Sequence, residues 1–522
     1  MKVRSQNKSL KPTVTRITPF AKQGKARATL RRLSSTVRSK KEKFLIDKFF
    51  SRVLAIVLLA SICVSMNPPQ VGAEEQGIKP NILFILVDDL GKEWISCYGA
   101  DDISTPNIDA LATGGMKFHN AYSMPQCTPS RVTLLTGKYP WRNGFVNHWD
   151  VPRWGVGYFD WEQKENTTFA QLLKALGYST CTAGKWQIND FRIEPEAMKK
   201  HGFDDWAMWT GFETGNPASS MRYMDAYVNR PDGSKTFRGK FGPDLYVGYL
   251  IEFIKQHRDE PMCLYFPMVL THTPLVTTPD EANVVNPIDK HKAMVRYMDK
   301  LVGQLVATLD ELSLRERTII FFTTDNGSTT SITGTLNGQK VKGAKGKETE
   351  AGVNAPFIVN CPGLVPYGIE TDALTDFSDL LPTFVELGGG SVPDDLTIDG
   401  VSIAPVILGK QKGTNREWIM ALGHGPAKLD EHGVRGQKDF ATRVIRDKQF
   451  KVWVSSEKEI IRLHDLKKDP FEMTNLINSK LEEHTKAIQK FQSLLNSLPD
   501  KDARPLYESR QANPWDKRLK KE

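Results

Sequence analysis

Continuous apolar runs that end abruptly in polar residues set the pattern of this chain. Asn81 to Val87, NILFILV, has the length and composition of a strand buried on both faces, and it stops at Asp88 and Asp89. The same grammar recurs downstream. Thr318 to Thr323, TIIFFT, runs into Asp325 and Asn326; Met262 to Leu270, MCLYFPMVL, runs into Thr271 and His272; Ser179 to Ala183 leads to Lys185. Between these runs the period changes. TFAQLLKAL reads as a helix capped by Asn166 or Thr167 and stopped at Gly177. A second helix is predicted over about Lys292 to Leu312, where Met294, Met298, Leu301, Leu305 and Leu309 form a stripe of core packing. Strands alternating with helices predict the α/β class, a large mostly parallel sheet flanked by helices, over residues 79 to 410. From Phe440 onward, ATRVI, FKVWV and IIRLHDL read as an antiparallel meander, followed by the helix LEEHTKAIQKFQSLL. Residues 411–500 are thus expected to form a smaller C-terminal domain of antiparallel sheet plus helix, and 501–522 a loosely held basic tail. In open parallel sheets the ligand site lies outside the carboxyl ends of the strands, so the four polar endings should converge.

Charge changes the picture at one end only. The 522 residues carry a formal charge of +9, but residues 1–73 hold 16 Lys and Arg against Glu42 and Asp47, leaving 54 basic and 59 acidic groups in the remainder. A mildly acidic body excludes a nucleic-acid partner. The basic stretch runs into the twelve-residue apolar segment Val53 to Val64, shorter than the ~20 residues a spanning helix needs. Together with Val71-Gly72-Ala73, this order predicts an export signal cleaved after Ala73 and a periplasmic or secreted body. An uncleaved segment would be the one route to a membrane. Of six cysteines, Cys63 lies in that segment, and the other five show no zinc spacing.

Asp88, Asp89, Asp325 and Asn326 offer hard oxygen ligands from two strand ends, the set that Ca²⁺, and after it Mg²⁺, prefers. Cys127-Thr128-Pro129-Ser130-Arg131 has its proline placed for a first helical turn. That puts Cys127 at a helix N-terminus, where free N–H groups favour an anion and Arg131 adds a cationic fork. Trp149, Trp154, Tyr158, Trp161, Trp206 and Trp209 fall in apparent loops and are candidates for stacking on sugar rings.

The chain resembles the type I sulfatases of the alkaline phosphatase superfamily. CTPSR followed by LLTG matches their maturation signature; TPNIDALATGGMKFHNAYS, GKWQ at 184–187, THTP at 271–274, YMDKLVG, FTTDNG, AKGKETEAG at 344–352 and LHDLKKDPFEMTNL at 463–476 continue the likeness in order. The resemblance implies that a separate maturation enzyme oxidises Cys127 to formylglycine. It implies that Asp88, Asp89, Asp325, Asn326 and the modified Cys127 bind Ca²⁺, that Arg131, Lys185, His272 and Lys345 contact sulfate, and that Ser130 and Gln187 belong to the substrate site. The implied chemistry is sulfuric ester hydrolysis of a sulfated sugar or aryl sulfate, with an aldehyde hydrate as nucleophile and His272 as proton donor to the leaving alcohol.

Three positions depart from the family pattern. Gln187 replaces the usual histidine of Gly-Lys-Trp-His, and an amide cannot accept a proton as imidazole can. Asn354 stands where an arginine is common, and THTP replaces the usual Pro-His. Two further readings therefore accompany the first: a phosphonate or phosphodiester hydrolase of the same superfamily, and a catalytically weak sulfated-glycan binder.

Overall fold

A computed structural model describes residues 79–504, apart from 149–157, 160–165, 190, 193, 212, 214–215, 427, 431–432 and 436–437, together with 507–508. The expected export signal lies outside the described residues. Among the described residues, no helix is long and apolar enough to cross a membrane.

Seven strands build the centre of an eleven-stranded sheet: β1 (Asn81–Val87), β2 (Met116–Tyr122), β3 (Ser179–Lys185), β4 (Asp205–Trp209), β5 (Met262–Pro267), β6 (Thr318–Thr324) and β7 (Asn354–Asn360). Their order is β2-β7-β6-β1-β5-β3-β4. The run β6-β1-β5-β3-β4 is parallel, and β7 is antiparallel to both of its neighbours. Successive side chains of a strand face opposite ways. Ile82, Phe84 and Leu86 of β1 accordingly join one core, which includes Leu135 of α1 (Cys127–Thr136), Phe169 of α2 (Phe169–Ala175) and Phe384 of a later helix, Leu380–Leu387. Leu83, Ile85 and Val87 join a second core on the other face, with Leu250 of α3 (Gly242–Gln256) and Met294, Met298, Leu301 and Leu305 of α4 (Pro287–Glu311). The predicted α/β architecture, a large mostly parallel sheet flanked by helices, is therefore present, with β1 buried on both faces. Each large apolar side chain fully buried in this way contributes about 1.5–3 kcal/mol.

Boundaries differ from expectation for local reasons. α2 is capped by Thr168, one or two residues past the expected caps, because Gln171 completes a reciprocal capping box with it. α4 begins at Pro287 under an Asn286 cap, one turn earlier than the apolar stripe suggested, since its first turn is polar. β5 ends at Pro267; Met268 to Leu270 stay buried but turn across β1, with Met268 N donating to Leu86 O at 2.8 Å. Trp206 and Trp209, expected in a loop, lie on β4 and are buried. Trp149, Trp154 and Trp161 lie outside the described residues.

The C-terminal meander forms with one strand more than expected: β8 (Ile419–Leu422), β9 (Arg443–Arg446), β10 (Phe450–Val454) and β11 (Ile460–Asp465), antiparallel in sequence order. The helix Glu482–Ser497 packs on it through Phe491 and Leu495, in a core shared with Tyr122, Met124 and Tyr139 beside α1. Buried Arg416 joins these parts, its Nε 3.0 Å from Asp379 Oδ1 and its Nη2 2.7 Å from Ser378 Oγ. The start of the expected tail is docked rather than loose. Asp502 accepts two 2.7 Å hydrogen bonds from Arg443 Nη2, and Ala503 N donates to Trp141 O.

Candidate active site

Every polar ending named from the sequence reaches the carboxyl edge of the sheet. Asp88 and Asp89 follow β1, Asp325 and Asn326 follow the adjacent β6, Lys185 closes β3, and His272 lies just beyond β5. Backbone bonds weld these ends together: Asp325 N donates to Val87 O at 2.9 Å, Asp88 N to Leu270 O at 2.8 Å, and Asp89 N to the Asp325 carboxylate at 3.1 Å. Gly184 lets β3 approach β5, since a Cβ there would lie 1.9 Å from Pro267 O. Asp89 and Gln187 hold left-handed backbone, φ 59° and 57°, a conformation costly for non-glycine residues and commonest where a site over-determines it.

The cations reach the acids in pairs. Lys185 Nζ is 2.7 Å from Asp88 Oδ2, Arg131 Nη2 2.7 Å from Asp325 Oδ2, and Lys345 Nζ 2.7 Å from Asp89 Oδ1. Asn326 Nδ2 donates to Asp89 Oδ1 at 2.8 Å, and His272 Nε2 lies 3.6 Å from Asp89 Oδ2. Burial works against the charge on Asp88, but Lys185, with Arg131 and Lys345, outweighs it and holds that carboxyl well below the usual range. Asp325 is pushed up by burial and by the Asp88 charge. Asp325 is thus short of positive charge. Asp88 Oδ1 and Asn326 Oδ1 are moreover buried without a hydrogen-bond partner. Two orphaned oxygens among three carboxylates and an amide fit a hard divalent cation. His272 joins Asp88 and Asp89 in a group whose ligand atoms lie within 4.8 Å of one another.

Cys127 opens α1, with Gln126 as its N-cap, and is fully buried. Its Sγ lies 3.1 Å from His148 Nδ1 and donates to Gln187 Oε1 at 3.6 Å. Burial raises the thiol, but His148, then Lys185 and Lys345, more than offset it and bring it down to about 6. Ser130 turns away from Cys127: its hydroxyl accepts from Met124 N at 3.0 Å and lies 2.5 Å from Asp325 O, tying α1 to the end of β6. The Lys345 strip is anchored from the C-terminal sheet. Glu350 takes Lys451 at 3.0 Å and Arg446 at 3.3 Å, and Asn354 Nδ2 donates to it at 2.9 Å. Glu350 thus draws two cations from β9 and β10.

The profile described as Sulfatase matches residues 80–390, more than half of the chain. The chain belongs to the sulfatase family. A second profile, described as N-sulphoglucosamine sulphohydrolase, C-terminal, matches residues 348–501. The N-acetylgalactosamine-6-sulfatase of Canis lupus familiaris is 32% identical over 354 residues, which cover 64% of this chain and 66% of that protein. The steryl-sulfatase of Rattus norvegicus is 29% identical over 434 residues, covering 66% and 73%. The chain thus spans about two thirds of the length of the first of these sulfatases. Among solved structures, Ps i-CgsB in complex with k-i-k-neocarrahexaose superposes with a TM-score of 0.66 at 25% identity, covering 81% of this chain and 94% of that one.

Two residues of this sulfatase site carry no sequence signal. His148 lies twenty-one positions after Cys127 and is fixed by a short parallel pairing of Asn147–His148 with His424–Pro426. Arg222 donates from Nη2 to His272 Nδ1 at 2.9 Å and to Thr273 O. Both line a cavity of about 410 Å³ with Gln187, Trp209 and His272.

Proposed function

We propose that this sulfatase hydrolyses sulfuric esters of sugars or aryl alcohols in an exported compartment, using residue 127 as formylglycine and a divalent cation, Ca²⁺ first. The observation that carries this is the meeting of Cys127 with Arg131, Lys185 and Lys345 at one sheet edge. Within this reading, residues 79–410 are the catalytic unit and 411–500 a smaller C-terminal one.

Asp88, Asp89, Asp325 and Asn326 would hold the cation, which supplies Lewis-acid polarisation and the missing positive charge. Formylglycine supplies, as its hydrate, an oxygen nucleophile that a cysteine thiol does not. The chain's own groups do the rest. Lys185, Lys345 and Arg131 stabilise the charge that spreads over the sulfuryl oxygens in the transition state. Lys185 and Lys345 are free for this once their aspartates are neutralised otherwise. His272 is neutral in the free protein, because burial pushes its pKa down to about 3. The negative charge of an incoming sulfate raises it, so that Nε2 can deliver a proton to the departing alcohol. Gln187 hydrogen-bonds residue 127 without taking its proton. His148 Nδ1, 3.1 Å from Cys127 Sγ, accepts that proton as sulfate leaves and fills the role the family's histidine would have at 187.

The test is peptide mass spectrometry at residue 127 after co-production with a formylglycine-generating enzyme, paired with sulfate release from a panel of sugar and aryl sulfates in Ca²⁺. Aldehyde with sulfate release is the expected result. Aldehyde with release of phosphate from phosphorus esters, and none of sulfate, would overturn the sulfatase chemistry in favour of its phosphorus neighbour.

A further inference from the structure

The cations of this site divide into two kinds. Arg131, Lys185 and Lys345 each face an aspartate within 2.7 Å. Arg222 faces none: among the described residues it forms no salt bridge, its Nη2 donates to His272 Nδ1 and Thr273 O, and its other polar neighbour is the Tyr223 hydroxyl. Its Nε is buried without a partner. The guanidinium lies over the Trp209 ring, 4.5 Å from the centroid, and lines the cavity shared with His148, Gln187 and His272. Among the described residues, no carboxylate lines that cavity. A half-buried guanidinium with an idle donor and no counter-ion is an anion receptor in want of its anion.

From this we infer that Arg222 with Trp209 forms a subsite for a second anionic group on the substrate, a carboxylate or a further sulfate, carried by the sugar that departs as the alcohol. The inference rests on the sulfatase reading and adds the substrate class to it: sugars bearing two anionic groups rather than one. The placement follows from His272. Arg222 contacts the histidine that faces the leaving oxygen, so the group it binds sits on the leaving side and not on the sulfuryl side. Trp209 offers its ring beneath the guanidinium and fixes the direction in which the fork points. Arg222 also steadies His272, so a variant will lower turnover on every substrate. Selectivity between matched substrates, not turnover itself, reports the subsite.

The experiment uses the matured full chain and pairs of monosaccharide sulfates, with and without a second anion, the second anion being a uronate carboxylate in one arm and an N- or O-sulfate in the other. The expected result is a preference of roughly 10- to 100-fold in kcat/KM for the doubly anionic partner, expressed mainly in KM, the range of a charge-assisted hydrogen-bond pair. Arg222→Gln should bring that ratio close to one, and Arg222→Lys should keep part of it. Which arm shows the preference tells carboxylate from sulfate. Equal turnover within every pair, or a preference unchanged in Arg222→Gln, overturns the inference. Calorimetric binding of the same pairs to the Cys127→Ala protein separates it from the sulfatase reading: if no pair releases sulfate, that reading fails, while a preference for the second anion that Arg222→Gln removes still supports the subsite.

Discussion

His148 carries the sharpest prediction, because the sequence removes an imidazole at 187 and the fold supplies another. Replacing His148 by alanine leaves Gln187 as the side chain bonded to residue 127 on that side, at 3.6 Å, and an amide has no basic nitrogen for the proton released with sulfate. Loss of a positioned general base costs typically 10²- to 10⁴-fold, about 3–5 kcal/mol of barrier. The cavity of about 410 Å³ admits water into the vacated space, and water takes part of the role, so the loss should fall near the lower bound, about 100-fold in steady-state turnover. The effect should also be confined to one half of the reaction. Cleavage of the alcohol precedes expulsion of sulfate, so rapid mixing of His148→Ala with an aryl sulfate should give a burst of alcohol equal to the enzyme present, followed by a slow steady state. Gln187→His in the His148→Ala background should recover at least about tenfold, while in the wild-type background it should change little, since the two imidazoles serve one proton. A loss below about threefold, a burst slowed as much as the steady state, or no recovery by Gln187→His would each refute the assignment.

Cys127→Ala should abolish sulfate release while leaving circular dichroism and the unfolding midpoint near wild type, because the lost side chain is small and touches only site residues. Removal of divalent cations by a chelator should lower the unfolding midpoint as well as activity, Ca²⁺ restoring both, since Asp325 is left short of positive charge and Asp88 Oδ1 and Asn326 Oδ1 are left buried without partners; an unchanged midpoint would argue against a cation among Asp88, Asp89 and Asp325. Arg416→Met should destabilise by about 3–5 kcal/mol in urea unfolding, because Asp376 and Asp379 remain buried without their cation. Glu93 is buried and its pKa is raised from 4.5 to about 7, chiefly by burial, against a hydrogen bond from Ser328. The folded state therefore binds the extra proton, and stability should fall as pH rises from about 4.5 through about 7, by about 3 kcal/mol in total. Glu93→Gln should flatten that part of the pH profile.

What the sequence made legible was whatever a strand or a motif encodes locally. β1 was readable to the residue because burial on both faces demands an unbroken apolar run. β6 and the paired polar endings followed from the same rule, and parallel topology then forced Asp88 and Asp325 together. Thr168 was missed as a cap because Asn166 and Thr167 have the same chemistry, and only the reciprocal bond with Gln171 decides among them. β8 was missed because IMAL is too short to show a period. His148 and Arg222 are of another kind. Each reaches the site through a long-range contact, His148 through the pairing of its strand with His424–Pro426 and Arg222 through Thr273 O and the Trp209 ring. Nothing in their immediate neighbours marks them. The anchoring of Glu350 is equally non-local: the cations that hold it come from Arg446 and Lys451, about a hundred residues later in the chain.

The burial of α1 also imposes an order in time. All ten of its residues are inaccessible, Cys127 included, and the core that closes over its flank draws on Tyr122 and Tyr139 from one end of the chain and on Ile445, Val452 and Phe491 from the other. An enzyme that oxidises Cys127, as proposed, would reach it only before those last strands and their helix have settled. Folding then buries it, and a chain that closes with its thiol intact has no route back except unfolding. On the proposed maturation, the yield of active protein would be decided by a race between oxidation and the arrival of the C-terminal sheet, and slowing that arrival should raise the fraction of chains converted.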